Sequence, residues 1–569
     1  MPLLEWQINT REYIFIFKKS SHLCHTIRLL KTILLKATRF FVILVSVISL
    51  SLVQCAKKGT PSGGAIDTLP PVITRTAPEN YTTNFNDEEI RIYFDEYIKL
   101  KDIQKQLIIS PPLKNQPTIT PYGVSKEVRI SFNDTLKENT TYTINFGQSI
   151  VDNNEDNPYD FYKYVFSTGS YIDSLSISGT IADAIKMTPE EAVTVMLYEV
   201  DENYTDSVVY NQKPLYVANT LKNPEAFTIE NIKEGTYLLV ALKDKSNDYL
   251  FFPNTDKIAF EERFITIPSD TTYRLTLFKE VPEYKLARPK QLSNNRIQFG
   301  YEGEASDMKV ELLSQKSDSF AYKLVNDQKT DTVYYWYKPT FVQDSLQFIV
   351  RNKQQKDTIT LRLSDIPTDS LQVKAQTSST IKPDEPFIIG ANLPMQHIYR
   401  EHIEIIDKDS IAIPFQTELD SLYNQLKLTF EKEERQQYNI TLFPGAIVDF
   451  FETPNDTLQF KTTTKAEADY GFLALNLQNV KAFPIIVQLV AEDGITVKTE
   501  QYSTKETTFE FEHIDPGKYY IRLIYDRNEN GEWDTGNFLK RQQPEKVIYY
   551  PTLLDIRANW NLNETFILD

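Results

Sequence analysis

Along most of the chain, apolar side chains alternate with polar ones over short stretches. Ile90, Ile92 and Phe94 form one such series, Val128, Ile130 and Phe132 a second, and Tyr142, Ile144 and Phe146 a third. Leu346, Phe348 and Val350 repeat the pattern, as do Ile359, Leu361 and Leu363. A period of two places every second side chain on one face, so each series predicts a strand with one buried and one solvated side. Asn, Asp, Pro and Gly separate the series, and no long heptad pattern interrupts them. The predicted fold class is all-β, with tandem antiparallel β-sandwiches, polar outside and apolar inside. The 33 Tyr and 33 Phe suit strands better than helices. A length of 569 residues calls for several domains.

Two internal repeats divide the chain. Phe227, Glu230, Ile232, Gly235, Tyr237 and Asp244 align without a gap on Phe509, Glu512, Ile514, Gly517, Tyr519 and Asp526. This predicts a strand, a tight turn at the glycine, and a strand that enters a loop at the aspartate. The pattern resembles sandwich domains of the transthyretin-like, carboxypeptidase-regulatory type, through the turn Ile232-x-x-Gly235-x-Tyr237. Tyr142, Ile144 and Ile150-Val151-Asp152 have counterparts in Tyr438, Ile440 and Ile447-Val448-Asp449. The first copy is similar to the bacterial Ig-like domain described in S-layer proteins. The residues that carry this are Pro70-Pro71, Ile92-x-Phe94-Asp95-Glu96, Ser110-Pro111-Pro112, Tyr142-Thr143-Ile144-x-Phe146 and Phe166-Ser167-Thr168-Gly169. The expected order is an Ig-like domain at 70–169, a transthyretin-like sandwich at 170–280 and a β-rich middle domain of open type at 281–369. A second Ig-like domain follows at 370–465 and a second transthyretin-like sandwich at 466–569.

The amino terminus predicts export. Lys31, Lys36 and Arg39 precede an apolar run from Phe40 to Val53, shorter than the ~20 residues of a membrane span. The run ends at Leu52-Val53-Gln54-Cys55, which resembles a bacterial lipoprotein signal whose cysteine is lipidated and becomes the first residue. Gln54 departs from the small residue usual before that cysteine. Residues 1–54 are therefore read as signal peptide, and 55–69 as a flexible tether with small, polar residues. Cys24, the other cysteine, falls within the signal. With its tether Cys55-Ala-Lys-Lys-Gly-Thr-Pro-Ser-Gly-Gly64, the chain resembles Ig-domain envelope lipoproteins of Bacteroidota. That resemblance implies an outer-membrane location through a lipid anchor. The side of the membrane stays open, although Lys57-Lys58 lacks the acidic run associated with surface export.

Charge narrows the partners. The chain carries −17, and residues 1–54 carry +5, so the remainder carries −22. Such a surface repels phosphate backbones and excludes nucleic acid as a partner. The mature chain holds three histidines, His397, His402 and His513. The first two are five apart in a strand-like segment and so are expected on opposite faces, and His513 is expected to be an exposed residue near a turn. No nucleophile-elbow, zinc-protease, phosphate-loop or dinucleotide motif is present, so no catalytic residue and no enzyme activity is predicted.

Two constellations bear on binding. Asp526, Asn528 and Asn530 with Gly531 sixth and Asp534 ninth match the opening of a calcium loop, which makes calcium the candidate cofactor. Asn537 stands where a calcium loop places a glutamate, and a polar turn is the alternative. The run Val333-Tyr334-Tyr335-Trp336-Tyr337 offers Tyr335, Trp336 and Tyr337 for stacking on a sugar ring. The alternative is that one pair packs inward while the other shields a domain junction.

Asp followed by Ser or Thr and an apolar residue or Thr recurs at Thr68, Thr135, Ser174, Ser207, Thr271, Thr332, Ser345, Thr358, Ser370, Ser410, Ser421 and Thr457. Roughly two such triplets are expected from ordinary frequencies. The triplet resembles the O-glycosylation signal of exported Bacteroidota proteins, and turn grammar also favours it. The function expected is a non-enzymatic envelope lipoprotein acting as a tethered binding or scaffolding rod, with an envelope protein or glycan as partner. The alternatives are a glycan-binding component of a polysaccharide uptake system and a hydrolase with an unrecognised carboxylate site.

Overall fold

The alternating segments become strands of paired sheets. The computed structural model describes residues 67–568. In strand Glu89–Leu100, Ile90, Ile92, Phe94 and Ile98 are buried while Arg91 and Tyr93 face outward, as the period of two requires. This strand, with Ile73–Ala77, Ser125–Ser131 and Thr118–Thr120, packs against the sheet of Ile108–Ser110, Thr141–Asn145 and Lys163–Ser167. All pairings between these strands are antiparallel. The protein is all-β.

The same construction recurs at 373–463, where Phe387–Ala391 and Gln425–Phe430 face Gln437–Leu442 and Leu458–Thr463 across one core. Both copies use one tyrosine in one way. The Tyr142 hydroxyl accepts the Lys137 N–H at 2.9 Å, and the Tyr438 hydroxyl accepts the Glu433 N–H at 2.6 Å. The repeated aspartates also match. Asp152 accepts the N–H groups of Asn154, Glu155, Asp156 and Asn157, while Asp449 accepts those of Phe451 and Thr453. Each carboxylate closes the loop that follows its strand by satisfying donors the turn leaves unpaired.

The gapless repeat corresponds to a shared topology. Leu175–Asp183 lies between antiparallel Ala226–Ile232 and parallel Thr272–Leu277. Gly471–Gln478 lies likewise between antiparallel Thr508–Ile514 and parallel Asn561–Ile567. The tight turn falls at Lys233–Glu234 and at Asp515–Pro516, directly before each glycine, and Asn231 and His513, with φ values of +59° and +49°, sit within the preceding strands where the register shifts. Gly235 is glycine because the Tyr237 ring folds back over it: a Cβ there would stand 3.1 Å from the Tyr237 hydroxyl. That hydroxyl donates to the Lys233 carbonyl at 3.0 Å, and Tyr519 does the same to Asp515 at 2.6 Å.

The middle unit is also a sandwich. Arg296–Glu302, Thr332–Lys338 and Ala321–Asn326 pack against Lys309–Leu312, Ser345–Asn352 and Gln355–Arg362. Among the described residues no helix is long and apolar enough to cross a membrane.

Candidate functional site

Strand Gly235–Lys243 departs from alternation: Tyr237 through Leu242 are all buried. Tyr237, Leu239 and Ala241 fill the core between the two sheets, while Leu238, Val240 and Leu242 point outward into a second core. Val208, Val209, Tyr249 and Phe251 cover part of this outer face, and Phe538 from the far end of the chain completes it. Burying one phenylalanine in this way stabilises by about 1.5–3 kcal/mol.

Phe538 sits on a long loop that leaves strand Gly517–Tyr525. Its ring meets Phe260 edge to face, with centroids 5.3 Å apart, and contacts Tyr210 at 6.4 Å. Its N–H donates to the carboxylate of Glu280, which is buried. Thr535 Oγ1 donates to the Lys279 carbonyl at 2.7 Å, and Gln543 Nε2 to the Phe260 carbonyl at 2.9 Å. Gly536 is required by the approach, since a Cβ there would fall 2.7 Å from the Phe278 ring. The Arg541 guanidinium lies over the rings of Phe264 and Phe538 at 5.4 and 5.1 Å. It also donates to the Tyr204 hydroxyl at 3.0 Å and pairs with Asp206. Arg522, buried on the outer face of its sheet, donates to Gln488 at 2.6 Å and to the Ile185 carbonyl at 3.3 Å. The last sandwich therefore docks on the sandwich of residues 175–277 through aromatic, ionic and backbone contacts together.

Four residues of the expected calcium loop come together at the base of this arm, with a fifth that the spacing did not reveal. Asp526 accepts the N–H groups of Glu529 and Gly531 at 2.8 Å each and that of Asn530 at 3.3 Å. Asp534 accepts the side-chain amides of Asn528 and Asn530 at 2.7 and 2.8 Å. Glu545, eleven residues beyond Asp534, accepts the N–H groups of Arg527 and Asp534 at 2.6 and 3.1 Å and closes the loop. Burial pushes the Glu545 carboxyl above the usual glutamate range despite these bonds, and the charges of Asp526 and Asp534 add to the effect. Among the described residues no group of three or more His, Cys, Asp or Glu is arranged to hold a metal ion. The loop's oxygens are satisfied from within.

Beside the dock lies a cavity of about 650 Å³ with walls from both sandwiches, among them Asp183, Lys186, Glu261, Arg274, Gln543 and Val547. Asp183 and Glu190 pair with Lys257 at 2.5 and 2.6 Å. Burial opposes the Lys257 charge, but the bonds to these carboxylates outweigh it and its pKa is raised. Burial, with Glu262 alongside, pushes Glu261 upward. Of the lining carboxylates Asp183 is paired with a cation, Glu545 holds backbone N–H groups, and no histidine, cysteine or serine lines the cavity.

The aromatic run is not an open stacking face but takes the alternative arrangement, one pair packed inward and the tryptophan at a junction. Tyr335, Trp336 and Tyr337 are all buried. Tyr335 and Tyr337 fill the core of the middle sandwich, and Trp336 closes the junction with the next one, 6.2 Å from Phe451 and beneath Arg296 at 4.9 Å. The exposed aromatic here is Tyr322, 51% exposed and stacked on Tyr335 at 5.0 Å with planes 7° apart. Its signal was the pair Phe320-x-Tyr322 on one face of an edge strand, facing the same way as Tyr335.

The histidines also differ from expectation. Strand Met395–Ile398 gives way to a tight turn at Arg400–His402, so His397 and His402 flank the Tyr399 ring instead of occupying opposite pleats. His513 is not an exposed turn residue: it is half-buried, with Nε2 2.5 Å from Glu467 and Nδ1 3.4 Å from Asp384. Of the twelve hydroxyls in Asp-Ser/Thr triplets, Thr332 is buried at the start of its strand, opposite Gly300, and offers no room for a glycan. Ser345 is half-buried and the other ten are exposed. Cys55 lies outside the described residues.

Residues 67–168 match the family model of the bacterial Ig-like domain. No curated protein matches the chain. Among solved structures the chain is similar to domains 1–6 of the surface layer protein SbsC, at 11% identity over 86% of this chain and 67% of that one, with a TM-score of 0.16. It is also similar to the major pilin subunit BcpA of Bacillus cereus, at 10% identity over 70% and 99%, with a TM-score of 0.13. A third is SGBP-B of the Bacteroides ovatus mixed-linkage glucan utilization locus, solved with a heptasaccharide, at 10% identity over 68% and 92% and a TM-score of 0.16. At these scores the chain as a whole superposes on none of the three.

Proposed function

We propose that this chain is a cell-envelope lipoprotein that works without catalysis. Its linked β-sandwiches are held to the outer membrane by a lipid on Cys55 and offer surface to an envelope protein or glycan. The docking of the last sandwich on that of residues 175–277 carries the reading, because the titratable groups a hydrolase would keep free are spent on architecture there. Glu280, Glu545 and Asp526 hold backbone N–H groups, and Arg541 pairs with Asp206. His513 is held between two carboxylates. The test is metabolic palmitate labelling with cross-linked pull-down from intact cells. Labelling is lost in Cys55→Ala, and cross-linked partners are recovered with the natural chain. Persistent labelling in that variant overturns the anchor.

A glycan-binding role is the second reading, and Tyr322 favours it. Its ring stacks on Tyr335 and neighbours Phe320 at 6.2 Å, yet half of it stays exposed, and an exposed ring held in this way suits the apolar face of a pyranose. Affinity-gel retardation by a polysaccharide, lost in Tyr322→Ala, would support it. O-glycosylation at the exposed triplets belongs to the first reading, since such glycans add hydrophilic bulk to loops and strand entries. Thr332 is excluded from it by burial.

A further inference from the structure

One end of the first sandwich gathers exposed apolar side chains where the chain enters the fold. Val72 and Asp95 bond each other at the start of the first strand, with the Val72 N–H donating to Asp95 Oδ1 at 2.8 Å and the Asp95 N–H to the Val72 carbonyl at 3.0 Å. Ile98 pairs with Ser125. These registers bring three segments to the same end of one sheet: the entry at Val72, the strand carrying Tyr97, and the hairpin tip from Pro121 to Val124. There Tyr122 is 89% exposed, Tyr97 58%, Val72 56% and Val124 50%. The Lys126 ammonium sits over the Tyr97 ring at 5.3 Å and donates to the Asp95 carbonyl at 2.6 Å, which fixes the ring on the rim.

The following sandwich does not use this sheet. Its contacts reach the opposite one, where Ser110 Oγ accepts the Val217 N–H at 3.0 Å, Thr143 meets Asn231 at 3.1 Å and Lys163 pairs with Glu230. At the tip, Val72, Tyr97, Tyr122 and Val124 stay exposed with the following sandwich in place.

The chain upstream says what covers it. Thirteen residues lie between Cys55 and Leu69, a length of chain that spans at most about 50 Å. A lipid on Cys55 therefore keeps the tip within about 50 Å of the bilayer, and so short a tether raises the concentration at which tip and surface meet. At that concentration, side chains of modest individual affinity suffice. Tyrosine rings, apolar in body and polar at the tip, settle at headgroup depth, and a lysine beside them extends its ammonium to the headgroups.

We propose that the tip formed by Val72, Tyr97, Tyr122 and Val124 seats on the phospholipid surface into which the Cys55 lipid inserts, and so sets the orientation of the sandwiches on the membrane. The proposal rests on the lipoprotein reading for its geometry, but its contact with lipid is measurable without the anchor.

Gly123 is the place for a probe, since a Cβ there meets nothing within 4 Å. The mature chain carrying Cys55→Ser and Gly123→Cys, labelled with a polarity-sensitive fluorophore, is titrated with phosphatidylethanolamine–phosphatidylglycerol vesicles. The emission shifts to the blue at millimolar lipid. The same label at Val342→Cys, on a fully exposed residue of the middle sandwich, does not shift. Tyr97→Ser combined with Tyr122→Ser weakens the partitioning by about tenfold or more. A probe at 123 that stays aqueous at every lipid concentration overturns the proposal, whether or not Cys55 is lipidated. A blue shift in a protein whose Cys55 proves unlabelled by palmitate upholds the lipid contact and overturns the anchor alone.

Discussion

Phe538 and Phe260 belong to different sandwiches, and their rings meet edge to face, 5.3 Å apart with planes at 85°. The contact joins two copies of one repeat. The outer face of strand Gly235–Lys243 is apolar where the corresponding strand Gly517–Tyr525 carries buried Arg522. The two copies have diverged into a socket and the body that fills it.

Phe538→Ala removes the ring that completes the outer core, and truncation of a buried phenylalanine costs about 3–5 kcal/mol. Because the loss falls at a junction, calorimetry should show the natural protein's coupled unfolding separating into resolved transitions. A single transition at the original temperature would contradict the docking.

Arg541 and Asp206 are partly exposed, so their attraction is screened by solvent. A double-mutant cycle of Arg541→Ala with Asp206→Ala should give a coupling of about 1 kcal/mol or less. That coupling should shrink between 50 mM and 0.5 M salt, as exposed pairs do. The stacking of Arg541 on Phe264 and Phe538 should leave Arg541→Ala more harmful than Asp206→Ala at both salt concentrations.

Glu280 gives the dock a pH signature. Burial raises its pKa, while the Phe538 N–H and the Lys540 charge work in the opposite direction. A native carboxyl with a raised pKa holds its proton where the unfolded chain has released it, so stability falls as pH rises through that window. Glu280→Gln keeps an acceptor for the Phe538 N–H and removes the charge. Its melting temperature should match the natural protein's at pH 4 and exceed it at pH 7.5, measured by differential scanning fluorimetry.

The sequence showed the strands because period-two alternation is a direct consequence of a half-buried sheet, and Ile90, Ile92 and Phe94 could not otherwise share a face. It showed the repeats because the Tyr237 and Tyr519 hydroxyls each reach back four residues to a carbonyl, a bond that needs fixed spacing. The dock was harder to see. Its one local trace is the unbroken apolar run Tyr237–Leu242, which marks a strand covered on both faces but not what covers it. Glu545 was hidden for the same reason: it completes the Asp526 loop from outside the motif's spacing. At 333–337 alternation told which residues share a face and left two arrangements open; the one found has Tyr335 and Tyr337 packed inward and Trp336 at the junction, because both faces of that strand are covered.

Asp526 holds three backbone N–H groups in a loop satisfied from within. Asp526→Ala should therefore lower stability by about 1–3 kcal/mol, equally in EDTA and in millimolar calcium. A calcium-dependent rise in melting temperature of the natural chain, abolished by this variant, would establish a metal site instead.

Lipidation at Cys55 is read from the intact mass of the protein purified from the membranes of its own host. The expected mass is that of a chain beginning at Cys55 and carrying acyl lipid, with further hexose-type increments where the exposed Asp-Ser/Thr triplets are glycosylated. A mass equal to unmodified polypeptide, or to a chain that retains residues before Cys55, would contradict it.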